Sequence, residues 1–259
     1  MKSRYACRVA FRNQTECPKM LAGVLRPAAS SIRYHSRSLH RPRDLRKIRL
    51  NMEPRPLSYG QGPMVWVDCE MTGLDADKDK ILEIAVIITN GNLDLVDEGI
   101  EYIIRTDKAI LDGMDEWCTK QHGQSGLTQA CLDSPHSHEE VSKAVLDYIK
   151  KWVPQRRVGI LAGSSVHADR AFLAKHMPEI TDWLHYRSLC LFLKHIIYDD
   201  VRLVDVSSVK ELSRRWYPQL GIPKLTESNH RALDDIRGSI KELEWYRRNI
   251  FIQPAPKSD

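Results

Sequence analysis

From Met64 to Cys69 the chain is apolar except for Asp68, with β-branched and aromatic residues on both parities. So short a run predicts a strand covered on both faces. After a Thr72-Gly73 turn, Ile81–Thr89 predicts a second buried strand, and Asn90-Gly91-Asn92 a hairpin turn into a third strand through Leu93 to Arg105. Helical spacing follows around Asp115–His122, Gly126–Leu132 and His138–Trp152. Val158–Ala162 then reads as a strand, and Ala168–His176 as a helix stopped near Pro178. From His230 onward, Leu233, Ile236, Ile240 and Leu243 form one apolar stripe at helical spacing. With one more strand before that helix, the order predicts an α/β fold: a mixed five-stranded sheet flanked by helices. No internal repeat interrupts it.

The longest apolar runs are short. Leu189–Leu193 ends at Lys194, and Ile84–Ile88 lies between Glu83 and Thr89, so no segment spans a bilayer as a helix. Six cysteines show no C-x-x-C spacing, which argues against a zinc knuckle and for reduced, structural thiols. The net charge of +5 conceals a division. Residues 1–50 hold 13 Lys and Arg against Glu16 and Asp44 alone, so the remaining chain is acidic, with 26 basic and 32 acidic residues. An acidic body is ill suited to tracking long nucleic acid by charge. The first 55 residues are Arg- and Ser-rich, poor in acids, and include an amphipathic stretch, Arg4–Arg12; they are expected to form a mitochondrial transit peptide or basic tail. Met52 and Met64 could each start a shorter cytosolic product. Pro54, Pro56, Gly60, Gly62 and Pro63 mark 56–63 as a linker.

The densest chemistry is Asp68-Cys69-Glu70 at the end of the first strand. Strand alternation points both carboxylates one way and Cys69 the other. Two unit charges about 4 Å apart repel by roughly 4 kcal/mol at an effective dielectric of about 20. Protonating one acid relieves that repulsion, and so does a hard divalent cation such as Mg²⁺ or Mn²⁺. Asp169 opens a helix after Gly163-Ser164-Ser165, where an acid also serves as an ordinary N-terminal charge. His230 lies at a helix start with Asp234 and Asp235 in the next turn; periodicity does not choose between these two acids.

Taken together, Asp68-x-Glu70, Asp169 and His230 with Asp235 five positions later resemble the three motifs of the DEDDh 3′→5′ exonucleases. The likeness extends to Val65–Leu74, Asp115-Glu116-Trp117-Cys118, Ser125-Gly126-Leu127, Arg214–Pro218 and His230–Ile236, which resemble the oligoribonuclease family from about Met64 to Phe251. The resemblance implies an RNase H-like exonuclease domain over 64–251, with a short tail at 252–259. It implies two divalent cations, Mg²⁺ or Mn²⁺, held by Asp68, Glu70, Asp169 and Asp235. By the same likeness His230 is the general base. It further implies that Leu74 and Trp117 wedge or stack the bases, that His122 and Ser165 bind the nucleotide and its 5′ phosphate, and that Tyr186 and Arg187 close the site from a partner subunit. The implied substrates are short RNAs, from dinucleotides to about five nucleotides, cut by a homodimer to nucleoside 5′-monophosphates in the mitochondrial matrix or intermembrane space, with no membrane partner.

Two departures from the family stand out. Residues 188–203 form an unusually apolar insert between His185-Tyr186-Arg187 and Val204-Asp205-Val206-Ser207. An extra helix at a dimer interface and retained intron sequence both fit it. Ser164 replaces the family's usual Asn. Among rivals, a DEDDh exonuclease for longer RNA or DNA ends should carry more basic surface. Asp75-x-Asp77-x-Asp79 opens like a calcium loop, yet Lys80 and Val86 stand where Gly and Glu are required. A catalytically dead homologue should lack one of the five motif residues, and a thiol hydrolase on Cys69 lacks a supporting His or Asn.

Overall fold

The computed structural model describes residues 55–184, 186–187, 200–201, 203–221 and 231–251. Its main sheet contains β1 (Met64–Met71), β2 (Ile81–Thr89), β3 (Ile100–Ile103), β4 (Ile160–Gly163) and β7 (Leu203–Asp205), in the spatial order β3-β2-β1-β4-β7. The first three strands are antiparallel neighbours, while β1 with β4 and β4 with β7 are parallel. Between β3 and β4 run α1 (Lys108–Leu111), α2 (Glu116–Gln124), α3 (Leu127–Asp133) and α4 (His138–Trp152). Then come α5 (His167–His176) and α6 (Pro178–Trp183), a small ribbon of β5 (Tyr186–Arg187) and β6 (Asp200–Val201), and finally α7 (Val206–Trp216) and α8 (Ala232–Asn249).

The two faces of β1 and β2 feed two cores. Val65, Val67, Cys69, Ile84, Val86 and Ile88 pack with Val145 and Ile149 of α4, Phe172 and Leu173 of α5 and Ile180 of α6. Trp66, Ala85 and Ile87 pack on the other face with Val206, Ala232, Ile236, Ile240 and Tyr246 from α7 and α8. Every residue of β2 is buried, which is why its sequence shows no alternation. Helix α4 carries its own start: Ser137 accepts from Glu140 N–H while Glu140 reaches back, a capping box.

Three elements differ from the sequence expectation. The third strand keeps only Ile100–Ile103 of the stretch Leu93–Arg105. Leu93 sits at φ +69° and Gly99 at +87°, while Asp97 accepts from Gly99 N–H, Tyr148 Oη and Trp152 Nε1, so the chain bends away first. Pro178 starts α6 rather than merely stopping α5, its missing N–H costing nothing in a first turn. The expected linker is docked. Leu57 is buried in the α4-side core, its N–H donates to Trp152 O at 2.6 Å, and Tyr59–Gln61 form a 3-10 turn. The expected insert lies outside the described residues at 188–199; its last residue, Leu203, pairs with Leu161 in the main sheet.

Candidate active site

The carboxyl ends of β1, β4 and β7 meet the N-termini of α5, α7 and α8 at one edge of the sheet, where ligands of open α/β sheets commonly bind. Asp68 and Glu70 project from β1 toward the α8 face, and a register shift between Glu70 and Met71 ends the regular pairing there. Asp235 arrives from the first turn of α8. One carboxylate oxygen from each of Asp68, Glu70 and Asp235 lies within 4.8 Å of the others. The structure thereby selects Asp235 over Asp234, which is more than half exposed and faces Arg237 at 3.6 Å.

Asp169, in the first turn of α5, is buried beside the same strand end. Its Oδ1 accepts from Cys69 N–H at 2.9 Å, and it stands outside the three-carboxylate group. Cys69 packs in the core on the face away from Asp68 and Glu70, beside Asp169, and burial, then the neighbouring acids, pushes its thiol well above the ordinary range. Cys118 and Cys131 are also buried thiols, pushed up to about 12 chiefly by burial.

The acids strain against ionisation. Burial, then Asp169, Glu70, Asp235 and Glu83, hold the Asp68 carboxyl well above the carboxylate range. Burial, then Glu83, Asp235 and Asp169, raise Glu70 to about 8, with Arg231 opposing. Burial raises Asp169 to about 6 against the Cys69 hydrogen bond. An all-oxygen donor set that resists its own negative charge fits a hard divalent cation. Glu70 and Asp169 titrate above their unfolded values of 4.5 and 3.8, so the metal-free fold holds more protons than the unfolded chain. Its stability therefore falls as pH rises through about 4 to 8. A cation replaces those protons. Mg²⁺ at about 100 times its Kd should raise Tm by about 5–10 °C at pH 8 and far less at pH 5, measured by thermal melting with and without EDTA. Equal shifts at both values would contradict this electrostatic picture.

Leu74 and Trp117 are 84% and 62% exposed, so neither belongs to the core. Leu74 rides on the turn Thr72–Lys80, borders an open groove of about 680 Å³, and shares it with Thr72, Asp79 and Asp115. That turn is tied internally. Asp79 accepts from Thr72 Oγ1 and Asp75 N–H, Asp75 accepts from Asp77 N–H, and Lys78 and Lys175 pair with Asp75 and Asp77. Gly73 abuts the Asp79 carboxylate so closely that a side chain there would collide with it. The three Asp residues thus build a turn, as the failed calcium-loop pattern implied.

His122 is 1% exposed. Its Nε2 donates to Met71 O at 2.9 Å, since a carbonyl only accepts, leaving Nδ1 without a hydrogen-bond partner 4.0 Å from Glu70 Oε2. Ser165 is exposed in the left-handed region at φ +57°. Its N–H donates to Asp205 Oδ1 and Ser207 Oγ, and its hydroxyl lies 3.3 Å from Ser207 Oγ. Asp205 caps α7 by accepting from Ser207 N–H and Oγ. Sequence reasoning missed Ser207 as a neighbour of Ser165. The trace of it was the Asp205-Val206-Ser207 order at the end of a strand parallel to β4, which brings the loops after the two strands together. Tyr186 and Arg187 form a backbone ladder with Val201 and Asp200. His230 lies outside the described residues.

Residues 65–243 match the exonuclease family. The chain is 47% identical to the mitochondrial oligoribonuclease of Mus musculus over 190 residues, covering 73% of each chain. It is 42% identical to the oligoribonuclease of Halorhodospira halophila over 199 residues, 77% of this chain and all of that one. It is 45% identical to a probable oligoribonuclease of Schizosaccharomyces pombe, covering 71% and 67%. Among solved structures, a zinc-bound Escherichia coli exonuclease I–ssDNA complex superposes with TM-score 0.55 at 13% identity, and exonuclease I of Methylocaldum szegediense with 0.52 at 16%. Each comparison covers 73% of this chain and 41% of the exonuclease, so this chain spans about two-fifths of their length and the likeness shows the fold alone. With an RNase H-like exonuclease sheet, acids gathered at its carboxyl edge, and relatives matched over up to their full length, the chain belongs to the oligoribonuclease family.

Proposed function

We propose that this 3′→5′ exoribonuclease acts chiefly on very short RNAs, dinucleotides above all, and releases nucleoside 5′-monophosphates in the mitochondrion. The observation that carries this reading is a cluster of three carboxylates at the carboxyl end of β1, together with two large apolar side chains left in solvent, Leu74 three residues past that strand and Trp117 on α2. Apolar groups that contribute nothing to a core are available to bases. The body's acidic balance supports a small substrate, because a short RNA needs a pocket and cations rather than a long basic track.

In this reading Asp68, Glu70 and Asp235 hold two divalent cations, Mg²⁺ or Mn²⁺, with Asp169 completing the set. Bound there, such cations neutralise charge on the scissile phosphate and on both the attacking and leaving oxygens. His230 takes the proton of the attacking water. Leu74 wedges and Trp117 stacks, holding two bases in register with the phosphate between them. Ser165, its backbone fixed by Asp205 and Ser207, meets the far phosphate. His122 has only Nδ1 to offer a ligand, Nε2 being committed to Met71 O. Tyr186 and Arg187 close the site from the second subunit of a homodimer. Residues 1–55 supply the mitochondrial address, to the matrix or intermembrane space. Starts at Met52 or Met64 give a cytosolic form of the same 64–251 domain, with 188–203 an insert beside Tyr186 and Arg187. Among the described residues no helix is long and apolar enough to cross a membrane.

Alanine at Trp117 tests this role. Base stacking contributes about 1–3 kcal/mol per base, so Trp117→Ala should cost dinucleotide cleavage about 5- to 150-fold in kcat/KM. Its exposure means that Tm should barely move. A drop in Tm with unchanged kcat/KM would return Trp117 to an ordinary packing role.

A further inference from the structure

The first turn of α8, which presents Asp235, is not capped by its own sequence. Arg231 at the N-cap makes no side-chain cap hydrogen bond. Acceptors come instead from two strands. Ala232 N–H points to Glu83 Oε2 of β2 at 3.5 Å and Leu233 N–H to Glu101 Oε1 of β3 at 3.3 Å. The Arg231 guanidinium binds the same two acids, with Nε and Nη2 on Glu83 Oε1 at 3.0 and 2.7 Å and Nη2 on Glu101 Oε2 at 3.4 Å. Arg231 O in turn accepts from the N–H groups of Asp234 and Asp235, both at 3.1 Å. Glu83 has no solvent exposure and faces Glu70 directly across the β1–β2 register.

Docking α8 does not require this arrangement. Ala232, Ile236, Ile240 and Tyr246 already bury the helix against Trp66, Ala85 and Ile87. A buried ion pair adds little to attachment that apolar side chains would not supply more cheaply. Placing a further carboxylate beside Asp68 and Glu70 also adds repulsion at the site, as the rise of both carboxyls shows. What the ionic triad adds is geometric. A planar guanidinium held by both donors on one oxygen, with a second acid alongside, fixes the rotation and axial place of the turn that aims Asp235. It also anchors the chain at the residue directly after His230.

We propose that Glu83, Arg231 and Glu101 are positioning residues that set Asp235 against Asp68 and Glu70 and thereby determine the divalent-cation affinity of the site. This rests on the reading of those three acids as cation ligands. Outer partners of metal ligands commonly change affinity 10- to 100-fold when replaced.

The test is calorimetric titration of the full chain with Mn²⁺, alongside thermal melts in EDTA, for wild type, Glu83→Gln, Arg231→Lys, Arg231→Met, Glu101→Gln and Asp235→Asn. Glu83→Gln and Arg231→Met should each weaken Mn²⁺ binding about 10- to 100-fold while melting cooperatively. Their double variant should be little worse than either, because they break one device. Arg231→Lys should recover part of the loss, and Glu101→Gln should cost less, since its contact to Arg231 is longer and it is partly exposed. Folded Glu83→Gln and Arg231→Met proteins with lowered Tm but wild-type Mn²⁺ affinity would overturn the proposal and leave a stability clamp. If Asp235→Asn also binds Mn²⁺ like wild type, the cation reading itself has failed, and the positioning role falls with it.

Discussion

Asp235→Asn is expected to lower kcat on short RNA by on the order of 10³-fold, the scale on which loss of a principal electrostatic group acts in an active site. The substitution keeps shape and removes one of three carboxylates whose oxygens crowd within 4.8 Å. In the metal-free protein that removal relieves repulsion on Asp68 and Glu70, both raised in part by Asp235. The variant should lose most of the Tm increase that Mg²⁺ gives at pH 8. The control is its neighbour. Asp234→Asn removes an exposed acid of the same helical turn, and should change kcat less than about threefold because Asp234 faces Arg237 rather than the cluster. Equal losses from both would mean that general acidity of the α8 turn matters and the specific cluster does not.

His230→Ala should cost kcat about 10²- to 10⁴-fold, the range associated with removal of a general base. Its profile should differ from that of Asp235→Asn in one respect. A residue that handles a proton leaves the cation ligands in place, so the variant should retain the full Mg²⁺-dependent rise in Tm. The wild-type rate should climb as an imidazole with a pKa near neutrality loses its proton, and that limb should be missing from the variant. Loss of the Mg²⁺ effect in His230→Ala would instead make the histidine part of the cation site.

Much of this site is visible in the residues themselves because its chemistry is written on one regular strand. The alternation in Asp68-Cys69-Glu70 places the two acids together and the thiol in the opposite core, as the packing of Cys69 bears out. Helix α4 has the bounds its periodicity predicts, His138–Trp152, because a capping box and an amphipathic face agree there. The third strand was read too long because the hydrogen bonds that break it converge on Asp97 from Tyr148 and Trp152, 51 and 55 residues away. Leu57 looked like part of a linker because Pro and Gly dominate its neighbours, while its partner Trp152 ends a distant helix. Asp234 and Asp235 are equivalent by periodicity and are separated only once β1 stands beside α8. Glu83 passed as an interruption in an apolar run. A lone acid within a fully buried strand demands a partner, and the Arg beside His230 is the one it finds.

The most direct measurement is competition, in one tube with Mg²⁺, between differently labelled two-, five- and twenty-nucleotide RNAs at equal concentration, with the full chain as enzyme. The dinucleotide should be consumed first and the twenty-mer last, with nucleoside 5′-monophosphates as products and no turnover in EDTA. Equal or faster loss of the twenty-mer would contradict that order and make the protein an exoribonuclease for long ends.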